Sequence, residues 1–356
     1  MTVLSVSENP VPVHSRDAVN NVHDSSLDGI RLIATLMVLL IHISGKGFAE
    51  LVPHWWAVNT YESVSRICVP LFFMTTGALL LSRTHSVVSV LKRVWKVGLA
   101  VLAWSVIYIV YYQLHGAPTN HWLATILKGP FVGHLWYLYT LIPLYFLIPV
   151  LAAFFKTSTK HLLSVVLIAG FLLSSVVPFI NRFAGVTLIG VDVAVFYIYP
   201  LYVLLGACLY RSARISTRVT FACLMIWGST TALTALFTWL YSKDRPVNTE
   251  VFYEYYAPLV VLSAFFAFLS VREMTARFVE WQPFFIKPLK LFGELSFGIY
   301  LIHPMIIWEL DRRGYDWHFV NPWWAVPAVL LAVALVSGGV VWVLRKIPYL
   351  RAIVPG

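Results

Sequence analysis

The chain has 356 residues, of which 59% are hydrophobic and only 12% charged, with a formal net charge of +10. Soluble domains carry about 25% charged residues, so this composition excludes an ordinary globular protein in water and points to a bilayer. The basic residues lie between apolar runs rather than on one exposed face, which excludes nucleic acid as partner and leaves orientation in a membrane as their use.

Residues 1–26 are polar and mixed in charge, without the basic start, short apolar core and cleavage site of a secretory signal, and are expected to form a disordered cytoplasmic tail. Beyond them, windows of about 20 apolar residues mark about ten helical spans. They fall near 28–46, 61–82, 94–114, 135–155, 161–181, 194–210, 219–241, 256–271, 289–310 and 323–344. The expected fold is all-α: a polytopic membrane helical bundle over residues 27–344, with a cytoplasmic C-terminal tail at 345–356. The connections after even-numbered spans and the C-terminal tail hold most of the arginines and lysines, among them Arg83, Arg93, Lys156, Arg214, Arg277 and Arg345. By the positive-inside rule both termini are cytoplasmic. Cys68, Cys208 and Cys223 each sit inside an apolar run, which suits neither a disulfide framework nor metal-ligand spacing, so no metal is expected.

The first span, LDGIRLIATLMVLLIHISGKGF, carries Arg31 and His42. Eleven helical steps return His42 to within roughly 20° of Arg31, about 16.5 Å further along the axis. The two share one face at different depths, with Arg31 near the cytoplasmic surface. Ser25 and Asp28 suggest a capping box at the start of the span, and Asp28 is also a partner for Arg31. His42, among Leu39, Leu40, Ile41 and Ile43, is either a packing residue or a base, and a neutral imidazole in low dielectric can take a proton from a hydroxyl. The second span opens with Glu62 and Arg66, four residues apart and therefore on one face, as an intrahelical ion pair would be. Pro70, Thr75, Thr76 and Gly77 then loosen it. His134 and Trp136 open the fourth span, where an interfacial aromatic belt accounts for Trp136 and Tyr137 and an acceptor role is the alternative. Glu254 lies among tyrosines at the start of span eight, as sugar-binding carboxylates do. Glu294 and His303 are nine residues apart, about 180° around a helix, so at most one faces a site shared with His42, and His303 is the preferred one.

The series Arg31-x10-His42, SRICVPLFFMTTG with Arg83 after it, GHLWYLYTLIPLYFLIP and GELSFGIYLIHP, in this order on about ten spans, resembles the membrane acyltransferase-3 family. The subgroup it resembles most is that of the enterobacterial common antigen O-acetyltransferases and related exopolysaccharide acyltransferases. The resemblance runs from about residue 27 to 344. It implies a multi-pass protein of the bacterial cytoplasmic membrane that moves an acyl group, usually acetyl, from cytoplasmic acyl-CoA to a hydroxyl of an envelope polysaccharide or lipid-linked glycan. No permanently bound cofactor is implied. The family's first-span arginine and histidine map onto Arg31 and His42, its FFxxSG motif onto Phe72, Phe73 and Gly77, and the arginine that follows onto Arg83. Thr76 replaces the usual serine and Ala78 the usual aromatic residue.

On this reading Arg83 and neighbouring basic residues such as Arg93 hold the phosphates of acyl-CoA. Phe72, Phe73 and Thr76 line its path, and Arg31 lies near its phosphate or pantetheine part. Glu62, Arg66, His134, Trp136, Glu254 and His303 are candidates for contact with the acceptor. His42 acts either as general base or as the site of a transient acyl group. A transporter or flippase for an envelope lipid or glycan is the alternative, in which the buried charges line a pathway.

Overall fold

A computed structural model describes residues 24–48, 54–116, 122–187, 190, 194–245 and 248–355, without the side chains of 194–197. Most of the expected tail, residues 1–23, lies outside the described residues. The chain forms α1 (Ser25–Phe48), α2 (Trp55–Ser65), α3 (Cys68–Leu80), α4 (Val87–Leu114), α5 (Trp122–Lys128), α6 (Trp136–Thr157), α7 (Lys160–Phe171), α8 (Val177–Ala184), α9 (Ala194–Arg211), α10 (Thr217–Ser242), α11 (Pro258–Trp281), α12 (Ile286–Arg312) and α13 (Pro322–Lys346). Among the described residues there are no strands, and nine segments are long and apolar enough to cross a membrane, with Ile198–Arg211 a shorter apolar helix at the expected sixth span. The protein is an all-α polytopic bundle.

α1 is the central helix, packed against α2, α3, α11, α12 and α13. Ile30 and Ala34 on one side of it and Leu39 and Ile43 on the opposite side are all buried in the protein core, as suits a helix surrounded by others. α7, by contrast, buries none of its residues, as suits a helix whose apolar side chains face lipid. The N-terminus of α1 is capped by Asp24 rather than by the expected box from Ser25: the Asp24 carboxylate accepts from the Ser26 backbone N–H at 2.9 Å and from the Ser26 hydroxyl at 2.6 Å.

The second span is two helices. It breaks at Arg66 and Ile67, one turn upstream of Pro70, the first of the positions expected to loosen it, and well before Thr75, Thr76 and Gly77. Pro70 is the physical cause: it has no N–H for the carbonyl of Arg66, four residues earlier, and its ring crowds that carbonyl. The ladder resumes with Leu71 donating to Ile67 at 2.9 Å. The C-terminal segment, expected as a tail, is docked on α4, where Trp104 Nε1 donates to the Ile353 carbonyl at 2.9 Å and Val354 is buried.

α3 and α9 cross backbone against backbone. A Cβ placed on Gly77 would lie 1.8 Å from the Val203 carbonyl oxygen, and one on Gly206 would lie 2.1 Å from the Met74 carbonyl oxygen. Helices in lipid gain their association from such close contact, because no hydrophobic force favours protein over hydrocarbon. Gly77→Ala and Gly206→Ala are therefore expected to cost at least about 1–3 kcal/mol, read as a lower melting midpoint of the detergent-solubilised protein. Gly228→Ala, at a position with no heavy atom within 4 Å of an added Cβ, should leave the midpoint unchanged.

Candidate active site

α1 carries Arg31 and His42 to two different cavities. The first, of about 320 Å³, is lined by Arg31, Arg93, Phe72, Thr76, Tyr145 and Ser296, among others. The second, of about 230 Å³, is lined by His42, Glu62, Arg66, His134, Trp136 and Glu250, among others. Tyr137 and Tyr300 are the two residues that line both. Their rings meet edge to face at a centroid distance of 5.8 Å, and both side chains are otherwise buried. Two aromatic rings thus form the partition between a cavity with two guanidinium groups and a cavity with a histidine and an ion pair.

On the Arg31 side, Arg31 Nη1 lies 3.4 Å from the buried Asp28 carboxylate while its residue lines the cavity, so the expected pairing and the cavity position coexist. Arg93 donates to His85 Nδ1 at 3.3 Å, and His85 Nε2 is 2.9 Å from the Leu80 carbonyl. Desolvation, reinforced by the positive charges of Arg93, Lys156 and Arg83, holds the His85 imidazole below its ordinary value, which suits a neutral ring that accepts at Nδ1. Arg83 itself is exposed in the turn after α3, outside the cavity wall, and its carbonyl accepts from Lys156 Nζ at 2.6 Å. Phe72 lines the cavity, whereas Phe73 is packed behind it against Tyr137 and Tyr199, with ring centroids at 4.9 and 4.7 Å. The Thr76 hydroxyl donates to the Phe72 carbonyl at 2.9 Å.

On the His42 side, Glu62 and Arg66 form the ion pair read from their spacing. Glu62 also accepts from the Ser44 hydroxyl at 2.6 Å, and Arg66 lies over the Tyr253 ring at 4.3 Å. Arg66 lines the cavity, while its Nε is buried with no hydrogen-bond partner among the described residues. Trp136 stacks on Tyr255 at 5.7 Å, and both line the cavity. Glu254, the carboxylate singled out from sequence, does not line either cavity; Glu250 lines the second one.

Three histidines converge here. The rings of His42 and His303 are 5.0 Å apart, those of His134 and His303 5.4 Å, and those of His42 and His134 6.3 Å. His134 arrives on the short turn Gly133–Leu135 that leads into α6, and His303 from the middle of α12. Glu294, on the far face of α12, pairs instead with Arg345 at 3.3 Å. Among the described residues no group of three or more His, Cys, Asp or Glu is arranged to hold a metal ion.

Sequence reasoning missed Tyr300, Tyr255 and Glu250, and assigned Tyr137 to an interfacial belt. The signal that could have found the tyrosines was a hydroxyl in an apolar run, since a buried tyrosine needs a partner for its O–H; the Tyr300 hydroxyl donates to the His134 carbonyl.

A family model described as an acyltransferase domain matches residues 24–342. The chain belongs to the acyltransferase-3 family. No curated protein and no solved structure matches it. The Glu62–Arg66 pair, which lines the His42 cavity, is also structural: Glu62→Gln and Arg66→Met are each expected to cost about 3–5 kcal/mol, since each leaves one buried charge uncompensated. The double variant should recover much of the loss, as read from melting midpoints in a double-mutant cycle.

Proposed function

We propose that the protein is an acyl-CoA-dependent membrane O-acyltransferase, most simply an acetyltransferase. Its acceptor is a sugar hydroxyl of an envelope polysaccharide or lipid-linked glycan, as for the enterobacterial common antigen and exopolysaccharide enzymes that its motifs resemble. The observation that carries this reading is the pair of cavities with a shared Tyr137–Tyr300 wall, two guanidinium groups on one side and His42 on the other. Both termini are taken as cytoplasmic, so the Arg31 cavity faces the cytoplasm and the His42 cavity the outer side of a bacterial inner membrane.

In this mechanism Arg31 and Arg93 hold the anionic part of acyl-CoA, with Arg83 and Lys156 at the entrance. The thioester passes between the Tyr137 and Tyr300 rings, which part to admit it, so that its carbonyl carbon and sulfur come within reach of the His42 cavity. The acceptor enters the other cavity, where Glu62, Glu250, Trp136 and Tyr255 offer the carboxylates and aromatic faces that bind sugars. His42 takes the hydroxyl proton as the oxygen attacks the thioester carbon. The C–O bond forms, the C–S bond breaks, and the imidazolium returns its proton to the leaving sulfur.

Purified protein in lipid nanodiscs, given acetyl-CoA and envelope glycan from a deletion strain deacylated with mild alkali, should release CoA thiol and acetylate the glycan. His42→Ala should lower kcat about 10²–10⁴-fold, while Arg31→Ala and Arg93→Ala should act chiefly on the KM for acetyl-CoA. Full turnover by His42→Ala would remove the reading.

A further inference from the structure

Pro304 has no N–H and its ring crowds the carbonyl four residues earlier, so α12 contains one backbone acceptor, that of Tyr300, without its helical donor. The side chain of the preceding residue fills the gap. His303 Nδ1 lies 2.8 Å from the Tyr300 carbonyl and 3.2 Å from that of Ile299. A carbonyl can only accept, so Nδ1 carries the hydrogen of the neutral ring and Nε2 carries the lone pair. His303 is fully buried, and Nε2 has no hydrogen-bond partner among the described residues.

Two imidazole rings joined by an N–H···N bond have centroids roughly 5 Å apart, the bond length plus the two ring radii. Two rings lie within that reach of His303, His42 at 5.0 Å and His134 at 5.4 Å, of which His42 is the nearer. Neither bond is closed in this structure, so a small turn of the His42 ring is what brings its N–H onto Nε2; His42 and His134, at 6.3 Å, are too far from each other. A neutral His42 has one N–H and one lone pair, and a buried N–H goes to whichever acceptor is fixed beside it.

We propose that His303 is a positioning residue: its Nε2 accepts the N–H of His42, so that His42 turns its lone pair toward the acceptor cavity. The inference rests on the proposed function, in which His42 is the base. When His42 takes the hydroxyl proton, both of its nitrogens carry hydrogen; one stays on His42 in its bond to His303 Nε2, and the other passes to the leaving sulfur. His303 stays neutral throughout. A fixed partner behind a catalytic imidazole is the arrangement that selects tautomer and orientation in hydrolytic triads, with a carboxylate there and a second imidazole here.

The test compares His303→Gln, His303→Asn and His303→Leu in the nanodisc assay with acetyl-CoA and deacylated glycan. The amide oxygen of Gln can occupy the place of Nε2, whereas Asn is too short and Leu has no acceptor. Leu and Asn should lower kcat about 100-fold with the KM for acetyl-CoA within about two-fold, and Gln should recover about ten-fold over Leu. A packing role predicts the reverse order, with the apolar Leu best, and that order, or all three variants near the wild-type rate, overturns the proposal. A readout independent of turnover is 15N NMR of histidine-labelled wild-type protein, with His42 assigned by its loss in His42→Ala. One neutral tautomer with a hydrogen-bonded N–H is expected, and a rapidly exchanging mixture overturns the proposal. His42→Ala in the same assay separates the two levels: if it turns over normally the proposed function fails, and if it is inactive while His303→Leu is normal, only the role of His303 fails.

Discussion

The carbonyl of Tyr300 has no helical donor, because the residue four positions on is Pro304, and a bilayer holds no water to replace it. The hydrogen bond from His303 Nδ1 resolves this, and much of the site hangs on it. It holds the His303 ring against the helix axis, beside His42 on α1 and His134 at the head of α6. From the same residue, the Tyr300 hydroxyl reaches across to the His134 carbonyl and ties α12 to α6. The Tyr300 ring is thereby held against Tyr137 as half of the wall between the cavities. A proline that costs a soluble helix about 3 kcal/mol here positions two side chains and a partition.

Charge inside the bundle follows the same rule of internal satisfaction. Asp28 takes Arg31, and Glu62 takes Arg66 together with the Ser44 hydroxyl. At the Arg31 end of α11, Glu273 gathers Arg214, Arg272 and Arg277. Arg31 and Arg66 differ from Arg272 in that each also lines a cavity. The same side chains therefore serve stability and remain available to a ligand.

Much of this was legible because it is local. The shared face of Arg31 and His42 follows from helical geometry alone, and the Glu62–Arg66 pair from a spacing of four. The spans follow from the length of apolar runs, and Glu294 and His303 diverge because nine residues turn a helix by half a circle. Other features were not legible. Pro70 was legible as a loosening point of the second span, but the break lies one turn earlier, at Arg66 and Ile67, because a proline disturbs the turn before it. Tyr137 reads as an interfacial anchor from its neighbour Trp136, yet it is buried against Phe73 and Tyr300. Glu254 has a tyrosine on each side and Glu250 has none, so the sequence favours Glu254, and only the path of the chain before α11 puts Glu250 at the cavity.

What the sequence by itself determined is membrane residence, the helical spans, the depth separation of Arg31 and His42, and the motifs of an acyltransferase, since each depends on residues close together in the chain or on their order along it. What only the tertiary structure decided is that His42, His134 and His303 meet, and that Tyr137 and Tyr300 form the wall between the cavities. It also decided that Gly77 and Gly206 mark a backbone contact. Those are relations between helices far apart in sequence, and in lipid they are set by close packing and by the need of every buried polar group for a partner, which no single helix reveals.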